Sequence, residues 1–225
     1  MAKRKVEKKS EETIIDIVET KNNLTDFVEN NRNIVFGIVG LIVLLVAGYF
    51  IYKYAILGPR EASAVEAISK AQEQFAQDSF ALALENPGAG FEGFLDIIDN
   101  YGGTPTANTA RYYAGVSYLN LGRYEDAVEY LEKVKGKGDV MPVMKNGTLG
   151  DAYSELGQFD KALSYYKKAA NAEDNSFFSP YYMKKLALLE MKNGNTDAAQ
   201  KIFADIKNKY PGSQIAGEVE KFLIN

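Results

Sequence analysis

The chain of 225 residues has no cysteine and no histidine. Without cysteine there is no disulfide framework, no thiol nucleophile and no cysteine-type zinc site. Without histidine there is no Ser-His-Asp triad, no Cys-His pair and no histidine metal ligand. Carboxylates and lysines remain, but they do not cluster, so no enzyme activity, cofactor or metal is expected. Net positive charge is missing as well. Residues 61–225 carry 17 basic and 23 acidic side chains, a net of −6. This is no footprint for nucleic acid.

Charge of either sign is absent from Ile34 to Tyr52, IVFGIVGLIVLLVAGYFIY. A bilayer core about 30 Å thick takes about 20 helical residues to cross, and this run fits. A cleaved signal peptide has a shorter basic start, a shorter apolar stretch and a small-residue cleavage site. Here Lys53 and Tyr54 follow the run, so it reads as an uncleaved membrane anchor over 34–57. Tyr49, Tyr52 and Tyr54 fall where an interfacial aromatic belt belongs, and Lys53 can snorkel to the headgroups. The tail of residues 1–33 holds Lys3, Arg4, Lys5, Lys8, Lys9, Lys21 and Arg32. Positive residues mark the cytoplasmic side, so the N-terminus is expected in the cytoplasm and the C-terminal domain outside it. In the tail, Ile14, Ile15, Ile17, Val18, Leu24, Phe27 and Val28 read as short amphipathic helices at the membrane surface. Gly58-Pro59 marks a kink with the next helix starting there.

The rest of the chain repeats. Residues 114–134, 149–169 and 186–206 align. Gly115, Gly150 and Ala187 share one small position, Gly122, Gly157 and Gly194 the turn, and Ala127, Ala162 and Ala199 a second small position. Each unit reads as two amphipathic helices, A and B, that approach closely where side chains are small. The turn glycine supplies a positive φ at the end of helix A. Acidic residues at Glu125, Asp126, Asp160 and Asp197 suit the start of helix B. The expected fold is therefore all-α. These residues resemble the tetratricopeptide (TPR) family over 108–212, which implies three repeats of a TPR-type α-solenoid. Thr196 and Glu190 depart from the pattern in the third copy. Gly147 lies within a helix A, at a cost of about 1 kcal/mol relative to alanine. Upstream, Ala62 to Leu84 reads as one long helix broken at Asn86–Gly90, with a second helix from Phe91 to Tyr101. Residues 61–107 are thus expected to form a degenerate first pair, and 213–225 a closing helix.

First helices of such stacks line a concave groove. By alignment its residues are Tyr112, Val116, Leu119 and Asn120, then Met144, Asp151 and Glu155, then Tyr181, Lys184, Leu188 and Met191. This mix suits an apolar segment or partner helix, such as an emerging client polypeptide. Tyr112, Val116 and Asp151 stand where a carboxylate clamp for heat-shock chaperones would need lysine and asparagine, so that clamp is absent. On the anchor, Gly37, Gly40, Leu44, Ala47 and Gly48 share one face. Small residues there let a neighbouring helix come close.

The whole layout of tail, LTDFVENNRN element, span, Ala-rich helix and repeats is similar to the YfgM-like proteins, ancillary subunits of the bacterial SecYEG translocon. That resemblance implies an inner-membrane anchor, a periplasmic TPR domain, and SecYEG and a PpiD-like membrane-anchored chaperone as partners. A periplasmic scaffold for envelope assembly or division, and a mitochondrial import receptor, are the other readings of the same layout.

Overall fold

The computed structural model describes residues 27–172 and 176–223. The amphipathic stretches expected between Ile14 and Leu24 lie outside the described residues. The chain divides into two compact units that meet at Gly58-Pro59.

The first unit is helical from Phe27 onward, with Asn31 preceding the long helix α1, Arg32–Ile51. Nothing in α1 is buried, and from Ile34 onward its surface carries no charged side chain. It forms the core of the one helical stretch, among the described residues, long and apolar enough to cross a membrane. From Tyr52 to Leu57 the helix widens to π turns, and the Gly58 N–H donates to the Lys53 carbonyl. Pro59 explains this locally. It has no N–H for the carbonyl four residues back, and its ring would strike that carbonyl in a tight α turn. A wider turn relieves both.

The second unit is all-helical among the described residues. Its helices are α2 (Gly58–Ala76), α3 (Phe80–Glu85), α4 (Phe94–Asn100), α5 (Pro105–Asn120), α6 (Tyr124–Glu132), α7 (Val140–Glu155), α8 (Phe159–Asn171), α9 (Phe178–Lys192), α10 (Thr196–Lys209) and α11 (Gln214–Glu218), followed by a 3-10 turn, Glu220–Phe222. The pairs α5/α6, α7/α8 and α9/α10 pack along their lengths, and each B helix also packs on the next A helix, α8 on α9 as extensively as α9 on α10.

One turn geometry closes all three A helices. Gly122, Gly157 and Gly194 have φ of 74°, 69° and 83°. In each, the glycine N–H bonds to the carbonyl three residues back. The following N–H reaches the carbonyl five residues back, at 2.9 Å for Arg123 to Tyr118, Gln158 to Tyr153 and Asn195 to Glu190. This double bond pattern satisfies carbonyls that a helix end leaves free.

The small positions allow the close approach expected of them. A Cβ on Gly115 would meet Leu131 Cγ at 2.5 Å, and one on Gly150 would meet Tyr166 Cδ1 at 2.5 Å. Ala127, Ala162, Ala187 and Ala199 are fully buried. One core runs from Ile68 and Phe94 through Leu131, Leu149 and Tyr166 to Tyr182. A second gathers Ala187, Ala199, Phe203, Ile206, Ala216 and Val219 around α10 and α11.

The expected helix Ala62–Leu84 is broken earlier than its sequence suggests. Asp78 has a φ of 56°, and the Ser79 N–H bonds to the Gln74 carbonyl at 2.9 Å. The Asp78 N–H bonds to Phe75, three residues back. This is the same turn, with aspartate in the glycine's place. Ala71, Phe80 and Ala83 then stand where Gly115, Tyr124 and Ala127 stand in the next copy, and both alanines are fully buried. α2 and α3 therefore form a fourth A/B pair. The break at residues 86–93 is an insertion within its helix B, which resumes as α4. The insertion closes tightly, because a Cβ on Gly93 would fall 2.3 Å from the Leu84 carbonyl oxygen. The second upstream helix is shorter than expected, Phe94–Asn100 instead of Phe91–Tyr101. The closing helix is also shorter, ending at Glu218.

Candidate partner-binding face

The start of α5 is built from local chemistry. Thr104 caps it, its Oγ1 accepting from the Ala107 N–H at 3.1 Å, and Pro105 takes the first helical position. Glu61 of α2 adds a clamp, accepting from the Thr106 N–H at 3.0 Å and its hydroxyl at 2.9 Å. Arg60 donates to the Asn100 carbonyl at 2.7 Å. The A helices are thus held in register from α2 onward.

Of the expected groove residues, several are spent on contacts between repeats. Tyr112 of α5 is half-buried, with its hydroxyl 3.4 Å from Thr148 Oγ1 of α7. Burial raises its pKa. Asp151 of α7 accepts from Tyr166 of α8 at 2.6 Å and from Lys185 of α9 at 2.6 and 2.8 Å. It is a strut between two repeats. Burial would lower the pKa of Lys185, but the charge and hydrogen bond of Asp151 overcome this and raise it. Lys184 pairs with Glu218 of α11, and its hydrogen bond holds that carboxyl below its ordinary pKa. Asn120 is exposed, and its amide donates to its own helix at the Val116 carbonyl, 2.8 Å away.

The remainder leaves surface to offer. Val116, Leu119, Met144 and Leu188 are half-buried, while Glu155, Tyr181 and Met191 are exposed. The face is mainly apolar, and its charges are largely paired within the molecule. On α1 the face of Gly37, Gly40, Leu44, Ala47 and Gly48 is exposed. A Cβ on any of the three glycines would meet nothing within 4 Å.

Two structural partners were not evident from the sequence. Tyr182 of α9 fills a notch above Gly147 of α7, where a Cβ would lie 2.1 Å from the ring. A glycine in mid-helix was the signal, and it marks a close approach. Lys185 was hidden because an adjacent lysine, Lys184, held the groove position. Among the described residues no group of carboxylates could hold a metal ion.

The described residues thus define an all-helical class of protein, one apolar helix followed by helix–turn–helix pairs. Residues 8–219 match the family described as T7SS, ESX-1 secretion system protein EccA1, N-terminal domain. The chain belongs to this family, and the match spans both the apolar helix and every helix pair. No curated protein matches the chain. The family match overturns the YfgM-like assignment. SecYEG and the PpiD-like chaperone, which rested on that resemblance, lose their support with it.

Proposed function

We propose that this chain is a non-enzymatic, membrane-anchored interaction module of a secretion system. Its repeats form a TPR-type α-solenoid whose A helices present an apolar groove to a protein partner. The match of residues 8–219 to a secretion-system family carries this reading. The tail, with its seven lysines and arginines, lies on the cytoplasmic side, and the repeats lie across the membrane. The anchor fits such a placement, because Arg32 and Lys53 bracket a run without charge. Helical rise puts them about 30 Å apart, close to the thickness of a hydrocarbon core.

The test is site-specific photocrosslinking in living cells. A photoreactive residue at Leu119 or Met191 should give a discrete adduct with one envelope or secretion protein. The same residue at Glu129, exposed on helix B, should not. Equal adducts from both faces, or none from either, would sink the groove reading. Protease treatment of intact spheroplasts decides sidedness independently, since repeats outside the cytoplasm are digested.

A further inference from the structure

An internal A helix in this stack is flanked by a following A helix of 15 or 16 residues. α9 is the exception. The following place belongs to α11, which has five residues and packs on both α9 and α10. A cleft of about 750 Å³ lies between the first turns of α9 and the Gly212–Glu218 segment. Its wall includes Phe177, Tyr181, Tyr182, Lys184, Ile215 and Glu218. Phe177 is 76% exposed and Tyr181 41% exposed. Tyr182 forms the floor, fixed by its fit against Gly147.

Among the described residues, the charges in the cleft are spent. Lys184 and Glu218 pair with one another, and Gln214 donates to the second oxygen of Glu218 at 2.9 Å. A charged ligand group would have to separate that pair and leave one member uncompensated in a partly buried wall. The net charge of −6 on residues 61–225 turns acidic segments away at longer range. Among the described residues, no unpaired carboxylate lines the cleft to draw a basic one. Aromatic walls with few free charges are the composition of an interface centre.

We propose that this cleft docks an uncharged segment of a protein partner, anchored by an aromatic or branched aliphatic side chain. The proposal rests on reading the repeats as an interaction module and gives that module its anchoring point.

The test is selection of a random-peptide phage library on the full chain in lipid nanodiscs, with counter-selection on empty nanodiscs. The enriched peptides should share an uncharged stretch containing an aromatic or branched aliphatic residue. They should bind the Phe177→Ser/Tyr181→Ala chain about tenfold or more weakly. A circular-dichroism melt equal to that of the parent chain shows that this variant is folded. A charged consensus, undiminished binding to the variant, or no enrichment overturns the proposal. The two readings fail separately. Crosslinks from Leu119 without cleft-dependent peptides defeat the cleft alone. The absence of both defeats the interaction module itself.

Discussion

The ring of Tyr182 in α9 rests against the backbone of Gly147 in α7, so closely that a methyl group on Gly147 would fall 2.1 Å from Tyr182 Cε1 and Cζ. One residue's missing side chain sets how the third repeat seats on the second. Intrinsic propensity favours Gly147→Ala by about 1 kcal/mol. Overpacking a rigid ring against backbone costs about 1–3 kcal/mol and wins. Gly147→Ala should therefore destabilise the repeats in urea. Because the chain has no tryptophan, tyrosine fluorescence reports the unfolding. In a Tyr182→Ala background the same substitution should be neutral or stabilising.

The Asp78 turn makes a second prediction. Because α2 and α3 close with the same turn as the later pairs, residue 78 has the conformational demand of Gly122. Gly122→Ala should cost about 1–2 kcal/mol, because a Cβ is disfavoured in the left-handed region. Asp78→Gly should gain about 0.5 kcal/mol, net of the extra unfolded-chain entropy of glycine. A loss of stability in Asp78→Gly would show that the aspartate side chain holds the turn in another way.

Asp151 ties α7, α8 and α9 together through Tyr166 and Lys185. Its partner Lys185 keeps 28% side-chain exposure, which places the pair between surface and interior. Asp151→Asn should cost about 1–3 kcal/mol, less than the loss from a fully buried pair. Lys185→Met should cost less in the Asp151→Asn background than alone, because the two changes break one contact.

The tyrosines predict a pH limit. Burial and the hydrogen bond to Glu132 push Tyr153 up to about 12 from 10.0. Tyr166 and Tyr182 are raised further, burial being the first cause in each. A folded-state pKa above the unfolded value gives stability that is complete below pH 10 and lost as pH rises through the folded pKa. The urea midpoint should fall steadily between pH 10 and 12. Tyr153→Phe should lower stability at pH 8 and flatten that fall.

Much of this fold could be read from residues. The turn glycines and small helix positions of three copies are visible because the backbone tolerates little else there. The first pair was obscured for a physical reason. Asp78 adopts a left-handed conformation usually given to glycine, and an insertion at residues 86–93 stretches the repeat spacing. The proposed groove was legible only as a face. Which of its residues are free depends on partners in other repeats, such as Lys185 for Asp151 and Glu218 for Lys184. Pairings of that kind leave no local mark. The layout of tail, span and repeats suggested one translocon family. The family match over residues 8–219 assigns the chain to a different family.

The central claim is membership in a secretion apparatus, and co-purification tests it most directly. The tagged full chain is extracted from native membranes in mild detergent and its companions are identified by mass spectrometry against a control single-span protein. Enrichment of the subunits of a T7SS-type secretion machinery is the result expected here. A companion set without secretion subunits would contradict the account.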